Sequence, residues 1–417
     1  MKIGYDHGEL DFIVPNGRLL GVLEPNKVEI GLTGAEAVEY ALDHPIGDVK
    51  VEERVRPGDK VCIIASDITR PMPSRTALPP LVKRLNAGGI PDSDMVIVFG
   101  LGSHRKHTEE EKQYLIGELY GRIECVDSDP DDVVRLGVTK HGTPVDIFRR
   151  VAESDFIICT GNIEYHYFAG YSGGAKAVMP GVSTPDAIRV NHSMMVGAEA
   201  YAGNMLSPVR QDIEEAGDIL GIDYILNAVL DEHKQIIYCV AGDVTAAHRR
   251  GAAFLDKLYR IPLKKRADIV VVSPGGYPKD QNMYQAQKAL DNSKHAVKDG
   301  GTIIWVAGCK EGLGSALFEK WMTSYSPEEM IENIKKDFKL GAHKAAAIAL
   351  VMKKAEIFLV SELPDDFVRS MGFIPFSSLE QAFAQATLKQ GEDSTVYVMP
   401  YGGSTLPIFE GEQQKMR

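Results

Sequence analysis

Short runs of consecutive apolar residues, each closed by turn residues and followed by a helix-like stretch, recur along this chain. Val61-Cys62-Ile63-Ile64-Ala65 leads into Ser66-Asp67, Val96-Ile97-Val98-Phe99 into Gly100-Leu101-Gly102, and Phe156-Ile157-Ile158-Cys159 into Thr160-Gly161-Asn162. Unbroken apolarity of this length marks strands covered on both faces, hence parallel sheets packed between helices. Strands that alternate with helices define an α/β fold. The pattern restarts after Arg260-Ile261-Pro262-Leu263, with strand candidates at 269–272, 302–306, 357–360 and 395–398. For 417 residues the expected organisation is two α/β domains with parallel-rich sheets, 1–262 and a smaller 263–417.

Charge narrows the class of partner. Lys and Arg total 46 against 58 Asp and Glu, a net charge of −12 that excludes a general nucleic-acid binder. An anionic substrate is still accommodated, since a few local cations suffice. The five cysteines are dispersed and form no CxxC pair, as expected of reduced core residues in a cytosolic protein. The start, MKIGYDHGELDF, lacks a basic segment followed by an apolar one, and no run reaches the ~20 apolar residues of a membrane span. The expectation is a soluble, cytoplasmic protein with neither nucleic-acid nor membrane partner. Lys264-Lys265-Arg266 reads as a solvated linker face.

In parallel α/β sheets ligands bind beyond the carboxyl ends of the strands. Three strand ends deliver Asp67-Ile68-Thr69-Arg70, Gly102-Ser103-His104 and Glu164-Tyr165-His166 to what could be one rim, although each histidine alone also reads as a surface or capping residue. The segment His166–Lys176 resembles a phosphate loop at first sight. A Walker A motif, however, needs adjacent Gly-Lys and then Ser or Thr, whereas Ala175 and Ala177 flank Lys176. Its glycines would allow backbone N–H groups close to an anion. Lys176 itself reads as a phosphate contact, a nucleophile or an exposed charge. His192 ends a helix-like stretch, where a cation suits the dipole. No HExxH, HxH or paired-cysteine cluster is present, so any metal would bring part of its coordination sphere with it. Gln285 and Lys288 share a helical face, as carboxylate holders or as plain surface residues.

Taken together, Ser66-Asp67-Ile68-Thr69-Arg70-Pro71, Gly102-Ser103-His104, the long segment Tyr165–Lys176 and Asn191-His192 resemble the nickel-dependent lactate racemase family. Lys176 and His192 follow His166 by ten and 26 residues, in the family's order, and the similarity covers nearly the whole chain, Gln285 and Lys288 included. The resemblance implies two α/β domains with the active site in the interdomain cleft. It implies an isomerase that racemises or epimerises a small, lactate-type 2-hydroxy acid at C2. The implied cofactor is a nickel-pincer nucleotide, nickel pyridinium-3,5-bisthiocarboxylate mononucleotide, attached covalently at Lys176 through a thioamide. His192 would be the protein's ligand to nickel, and Asp67, Ile68, Thr69 and Arg70 would lie against the cofactor. His104 and His166 would be the acid–base pair, with Arg70, Gln285 and Lys288 binding the substrate carboxylate. Cofactor-biosynthesis proteins are implied partners, and homo-oligomerisation is left open.

One stretch departs from the family's pattern. Where lactate-specific relatives are expected to place a bulky aromatic, this chain has Gly341-Ala342-His343-Lys344-Ala345-Ala346. A larger or more polar acid, such as malate or a sugar acid, is therefore the alternative substrate. Lys344 would serve a second carboxylate if turned inward, and otherwise belongs to a solvated helix face. A nicotinamide-dependent dehydrogenase is disfavoured because no GxGxxG follows a strand with an acidic residue beyond it. An organic-anion or nucleotide binding protein without turnover is the reading from another class.

Overall fold

The computed structural model describes residues 1–15 and 17–409. Contacts divide the chain into two units, Val28–Lys257 and a second built from Leu258–Arg417 together with Met1–Lys27. Each is an α/β unit around one six-stranded sheet.

In the unit 28–257 the strands run in the order Ile236–Gly242, Tyr224–Leu230, Phe156–Asn162, Val61–Ser66, Met95–Gly100, Glu124–Asp127. All neighbours are parallel except the hairpin formed by the first two. Val61–Ala65 and Met95–Phe99 are buried throughout, because helices cover both faces of the sheet. One cover is Ser74–Ala87, whose Ala77, Leu78, Leu81, Val82 and Leu85 recur at helical spacing and meet Ile63, Ile97 and Ile158 in the core. Cys62, Cys159 and Cys239 are buried and unbonded to one another, as are Cys309 in the other unit and the partly buried Cys125.

The second sheet is wholly parallel, in the order Ile374–Phe376, Glu356–Val360, Val297–Val306, Ala267–Val272, Val396–Met399, Leu19–Val22. The four apolar runs expected after residue 263 are its four central strands. Residues 1–27 depart from the expected 1–262 domain. Leu19–Val22 pairs with Val396–Met399 as an edge strand, and Gly4 packs against the backbone of Gly275 and Gly276 so closely that a Cβ there would lie 2.6 Å from Gly275 C. Such long-range pairing leaves no periodicity in four half-exposed residues. The expected interruption at Arg260–Leu263 is itself a strand, paired in parallel with Leu406–Phe409. Lys264 and Lys265 are exposed as expected, while Arg266 lies over the Phe409 ring. Residues 410–417 of the expected second domain lie outside the described residues. Among the described residues no helix is long and apolar enough to cross a membrane.

Candidate active site

Phe156–Asn162, Val61–Ser66 and Met95–Gly100 are adjacent and parallel, so their carboxyl ends open onto the same edge of the sheet. The segments that follow them carry Asp67–Arg70, His104 and His166. All three segments therefore leave the sheet at that edge.

The first two segments are hydrogen-bonded to each other. Asp67 is nearly enclosed, with its Oδ2 3.2 Å from His104 Nδ1 and its Oδ1 accepting from the Thr69 N–H at 2.8 Å. The Thr69 hydroxyl lies 3.3 Å from the same Nδ1, and Arg70 Nε approaches Asp67 Oδ2 at 3.7 Å. Burial alone would push the Asp67 carboxyl up, but hydrogen bonds from His104 and Thr69, with the His104 charge, outweigh it and hold it down at about 2. A carboxylate on Nδ1 keeps the proton there and the lone pair of the neutral ring on Nε2. His104 also lines a cavity of about 270 Å³ with Leu101, Ser128 and Val182.

His107, to which the sequence reading gave no role, fixes this arrangement from behind. Its side chain is enclosed, its Nδ1 is hydrogen-bonded to Asp127 Oδ1 at 2.5 Å, and its Nε2 accepts from the Ile68 N–H at 3.0 Å. Ile68 is thereby held by its backbone. The exit of the segment is set by a capping box, in which Thr108 and Glu111 satisfy each other's backbone N–H groups before the helix Glu109–Ile116.

The third segment forms a two-residue hairpin, Tyr165–His166 against Gly170–Tyr171, and then a single 3-10 turn Gly174–Ala177 that contains Lys176. The Ala169 N–H donates to His166 Nδ1 at 3.3 Å. Phe168, fully buried, stands edge-on to His166 at 4.4 Å and to His192 at 5.0 Å between ring centroids.

Close packing, more than anion capture, explains the glycines. Gly170 has φ +72° and a Cβ there would sit 2.1 Å from Asn204 O, and the Gly174 N–H already donates to Asn227 Oδ1 at 2.7 Å. Arg210, wholly buried and also missed in the sequence, donates to the carbonyls of Tyr171 and Gly173 and is held by Glu214. Lys176 is not the exposed charge of the simplest sequence reading. Although part of its surface meets solvent, crowding by protein lowers its pKa to about 7, ahead of the neighbouring Arg70 and Arg210 cations. Near neutral pH a large fraction of this amine is unprotonated and nucleophilic.

His192 lies in the last turn of Pro185–Ser193 and is buried. Asn191 donates through Nδ2 to Val209 O and Asp212 Oδ2, which turns its Oδ1 toward His192 Nδ1 at 2.8 Å. His192 must therefore donate from Nδ1, and its lone pair is on Nε2. Fixing the remote nitrogen in this way is the usual support of a metal-ligating imidazole. Among the described residues no three His, Cys, Asp or Glu side chains converge on one point, so a single imidazole is what the chain offers here. A nucleophilic lysine and a tautomer-fixed histidine fit a metallocofactor that brings its remaining ligands and is tethered at an amine.

In the other unit, Gln285 and Lys288 lie on the helix Met283–Ser293, both exposed and one turn apart, as their spacing implied. Its N-terminus is capped by Asn282, which accepts from the Gln285 N–H at 3.0 Å. Lys344 corrects the expectation of a solvated face. It sits in the helix Ala342–Met352 at 6% exposure, with Nζ 4.0 Å from the Tyr284 ring centroid and hydrogen-bonded to the Tyr284 carbonyl. Alanines on either side let the helix pack closely, and this draws the lysine inward.

Known proteins match over this same span. A family model described as the lactate racemase N-terminal domain matches residues 5–203, and one described as the lactate racemase C-terminal domain matches 263–406. The lactate racemase of Lactiplantibacillus plantarum is 35% identical over 384 residues, covering 89% of this chain and 90% of that protein. The lactate racemase of Thermoanaerobacterium thermosaccharolyticum is 29% identical over 421 aligned positions, covering 97% and 98%. The solved structure of the lactate racemase apoprotein from that organism superposes with a TM-score of 0.88 at 30% identity, covering 97% of this chain and 99% of that one. A Thermotoga maritima protein shares the fold alone, with a TM-score of 0.64 at 19% identity over 91% of this chain and all of that one. With both domain models matched along most of its length, the chain belongs to the lactate racemase family and is an isomerase.

Proposed function

We propose that this protein interconverts the configurations at C2 of a small 2-hydroxy acid, lactate or a close relative, with a nickel-pincer nucleotide joined to Lys176 and ligated by His192. The observation that carries the reading is the place of half-buried Lys176 in the 3-10 turn that closes the family's glycine-rich segment, where burial lowers its amine to about 7 and acylation by a thio-acid arm needs an unprotonated nucleophile. His192 supports it through an imidazole whose Nε2 lone pair is fixed by Asn191.

Direct removal of a proton from C2 of a 2-hydroxy carboxylate leaves a poorly stabilised carbanion. When bound, the nucleotide supplies an electrophilic carbon that takes and returns a hydride, so that this carbanion is avoided. The chain's own task is then to manage one proton and one carboxylate. His104, its Nδ1–H held by Asp67, takes the hydroxyl proton at Nε2. His166 serves the opposite face, and its protonated form returns a proton to the carbonyl oxygen of the 2-keto acid. Each turnover leaves the extra proton on the other ring, ready for the reverse direction. Arg70, Gln285 and Lys288 retain the carboxylate while the keto acid turns, and Asp67, Ile68 and Thr69 lie against the nucleotide.

The test is a chiral assay of nickel-loaded protein, purified from a host that makes the cofactor, on single enantiomers of 2-hydroxy acids. Racemisation without added nicotinamide cofactor is expected. His104→Ala and His166→Ala should each lower the rate by about 10²-fold or more while nickel stays bound. Turnover at the native rate in either variant removes that histidine from its role, and tight acid binding without exchange at C2 would leave a binding protein.

A further inference from the structure

We propose that Arg210 is a positioning residue for Lys176: its buried guanidinium fixes the backbone that enters the turn Gly174–Ala177, so that the lysine amine is presented for covalent attachment. This deepens the reading above and rests on it for what the amine carries. Arg210 lies on the helix Pro208–Leu220 at 1% exposure. A cation enclosed in this way is costly to desolvate unless its donors are used. They are used on the segment that leads to Lys176. Nη1 donates to the carbonyls of Tyr171 at 3.3 Å and Gly173 at 3.1 Å. The Gly173 carbonyl also accepts from the Lys176 N–H at 3.3 Å, so one oxygen joins the guanidinium to the lysine's own backbone.

His248, wholly buried on the helix Val244–Tyr259, takes the carbonyl between them, its Nε2 donating to Ser172 O at 2.8 Å. Arg210 Nη2 lies against the same ring, 2.9 Å from Nε2 and 3.1 Å from Nδ1. Burial and the Arg210 charge keep the ring neutral, so with Nε2 donating, the lone pair that meets the guanidinium is on Nδ1. Three consecutive carbonyls, 171 to 173, are thus held by two side chains that hold each other. A Cβ at residue 174 would lie 3.0 Å from Arg210 Nη2 and 3.1 Å from His248 Cδ2, so glycine there makes room for the pair. Glu214 anchors the far end, accepting from Arg210 Nε at 2.7 Å while both its oxygens accept from Arg249 at 2.7 Å. Two guanidinium groups share one carboxylate, and the cluster stays net positive. Burial, then Arg70, then Arg210 disfavour the ammonium form of Lys176, against the opposing pull of Glu164. Fork and charge are separable, because a lysine at position 210 keeps the charge and loses the fork.

Two readouts on the full chain without nucleotide test this. Peptide-resolved hydrogen exchange follows the backbone, and the pH profile of Lys176 acetylation by trace acetic anhydride follows the amine. In Arg210→Lys, exchange across residues 172–177 should quicken by about tenfold or more while Val61–Ser66 stays protected. In nickel-loaded protein of the same variant, the share of Lys176 carrying the acyl-linked nucleotide should fall by about tenfold. Arg210→Met removes charge and fork together, so the acetylation midpoint, near 7 in the wild type, should also rise toward that of exposed Lys264. If Arg210→Met does not fold, Arg210→Lys decides alone. Unchanged exchange at 172–177 or a full share of adduct in Arg210→Lys overturns the positioning role, as does an unmoved midpoint in Arg210→Met. Exchange that quickens equally in Val61–Ser66 makes Arg210 a general stabiliser and overturns it too. A nickel-loaded, active wild type with unmodified Lys176 fails the function above, and exchange and acetylation without nucleotide still read the hold of Arg210 on the lysine.

Discussion

Asp67 is almost closed off from water, yet remains charged, because His104, Thr69 and a backbone N–H all donate to it or stand beside it. A buried carboxylate so held fixes the proton of His104 on Nδ1. Asp67→Asn should therefore lower kcat by about 10²-fold or more while nickel content and the modification of Lys176 persist. Loss of nickel in step with activity would instead make Asp67 only a cofactor contact. The same carboxylate stabilises the fold in a pH-dependent way. Held at about 2 against an ordinary value near 4, it contributes about 2 kcal/mol, fully present above pH ~4 and lost as the pH falls toward ~2. Melting temperatures measured across that window should fall in the wild type, and Asp67→Asn should lack this component of the fall. His107→Phe removes the acceptor for the Ile68 N–H and strands Asp127, and a loss of about 10- to 100-fold in cofactor retention is expected on dialysis. The strand-end rule made Asp67 and His104 legible in the sequence. His107 lies three residues further on, and only the folded backbone shows that its ring meets Ile68.

At the level of elements, continuous apolar runs were a sound guide. Strands covered by helices on both faces have no polar side to confuse the pattern, which is why Val61–Ser66 and Met95–Gly100 could be read directly. Leu19–Val22 could not, since an edge strand only partly buried lacks that signature and depends on a partner nearly 380 residues away. In the glycine-rich segment the sequence excluded a Walker A loop and left close anion approach open, whereas packing explains the glycines. Gly170→Ala forces a left-handed residue and a Cβ into Asn204 O, and should destabilise the protein by about 2 kcal/mol or more, read as a lower urea midpoint. An unchanged midpoint would show that the hairpin relaxes freely. Lys344 illustrates the converse limit: charge suggested a solvated face, but the alanines around it allow a packing that buries it.

For the whole molecule, the main lesson concerns its N-terminus. Met1–Lys27 completes the sheet of the unit 258–409, so hydrogen exchange at Gly21 and Val22 should be slow and should follow that of Val396–Met399. Rapid exchange there with a protected 396–399 would contradict the pairing. Two α/β units and the family itself were legible because the site's residue types recur at fixed intervals over most of the chain. The proposed roles of Lys176 as tether and His192 as nickel ligand stand or fall together with a covalent bond, and that bond can be weighed. Peptide mass analysis of nickel-loaded, fully active protein should find the Lys176 peptide heavier by the acyl-linked nucleotide, with about one nickel per chain. An unmodified Lys176 in protein of full activity would contradict the account.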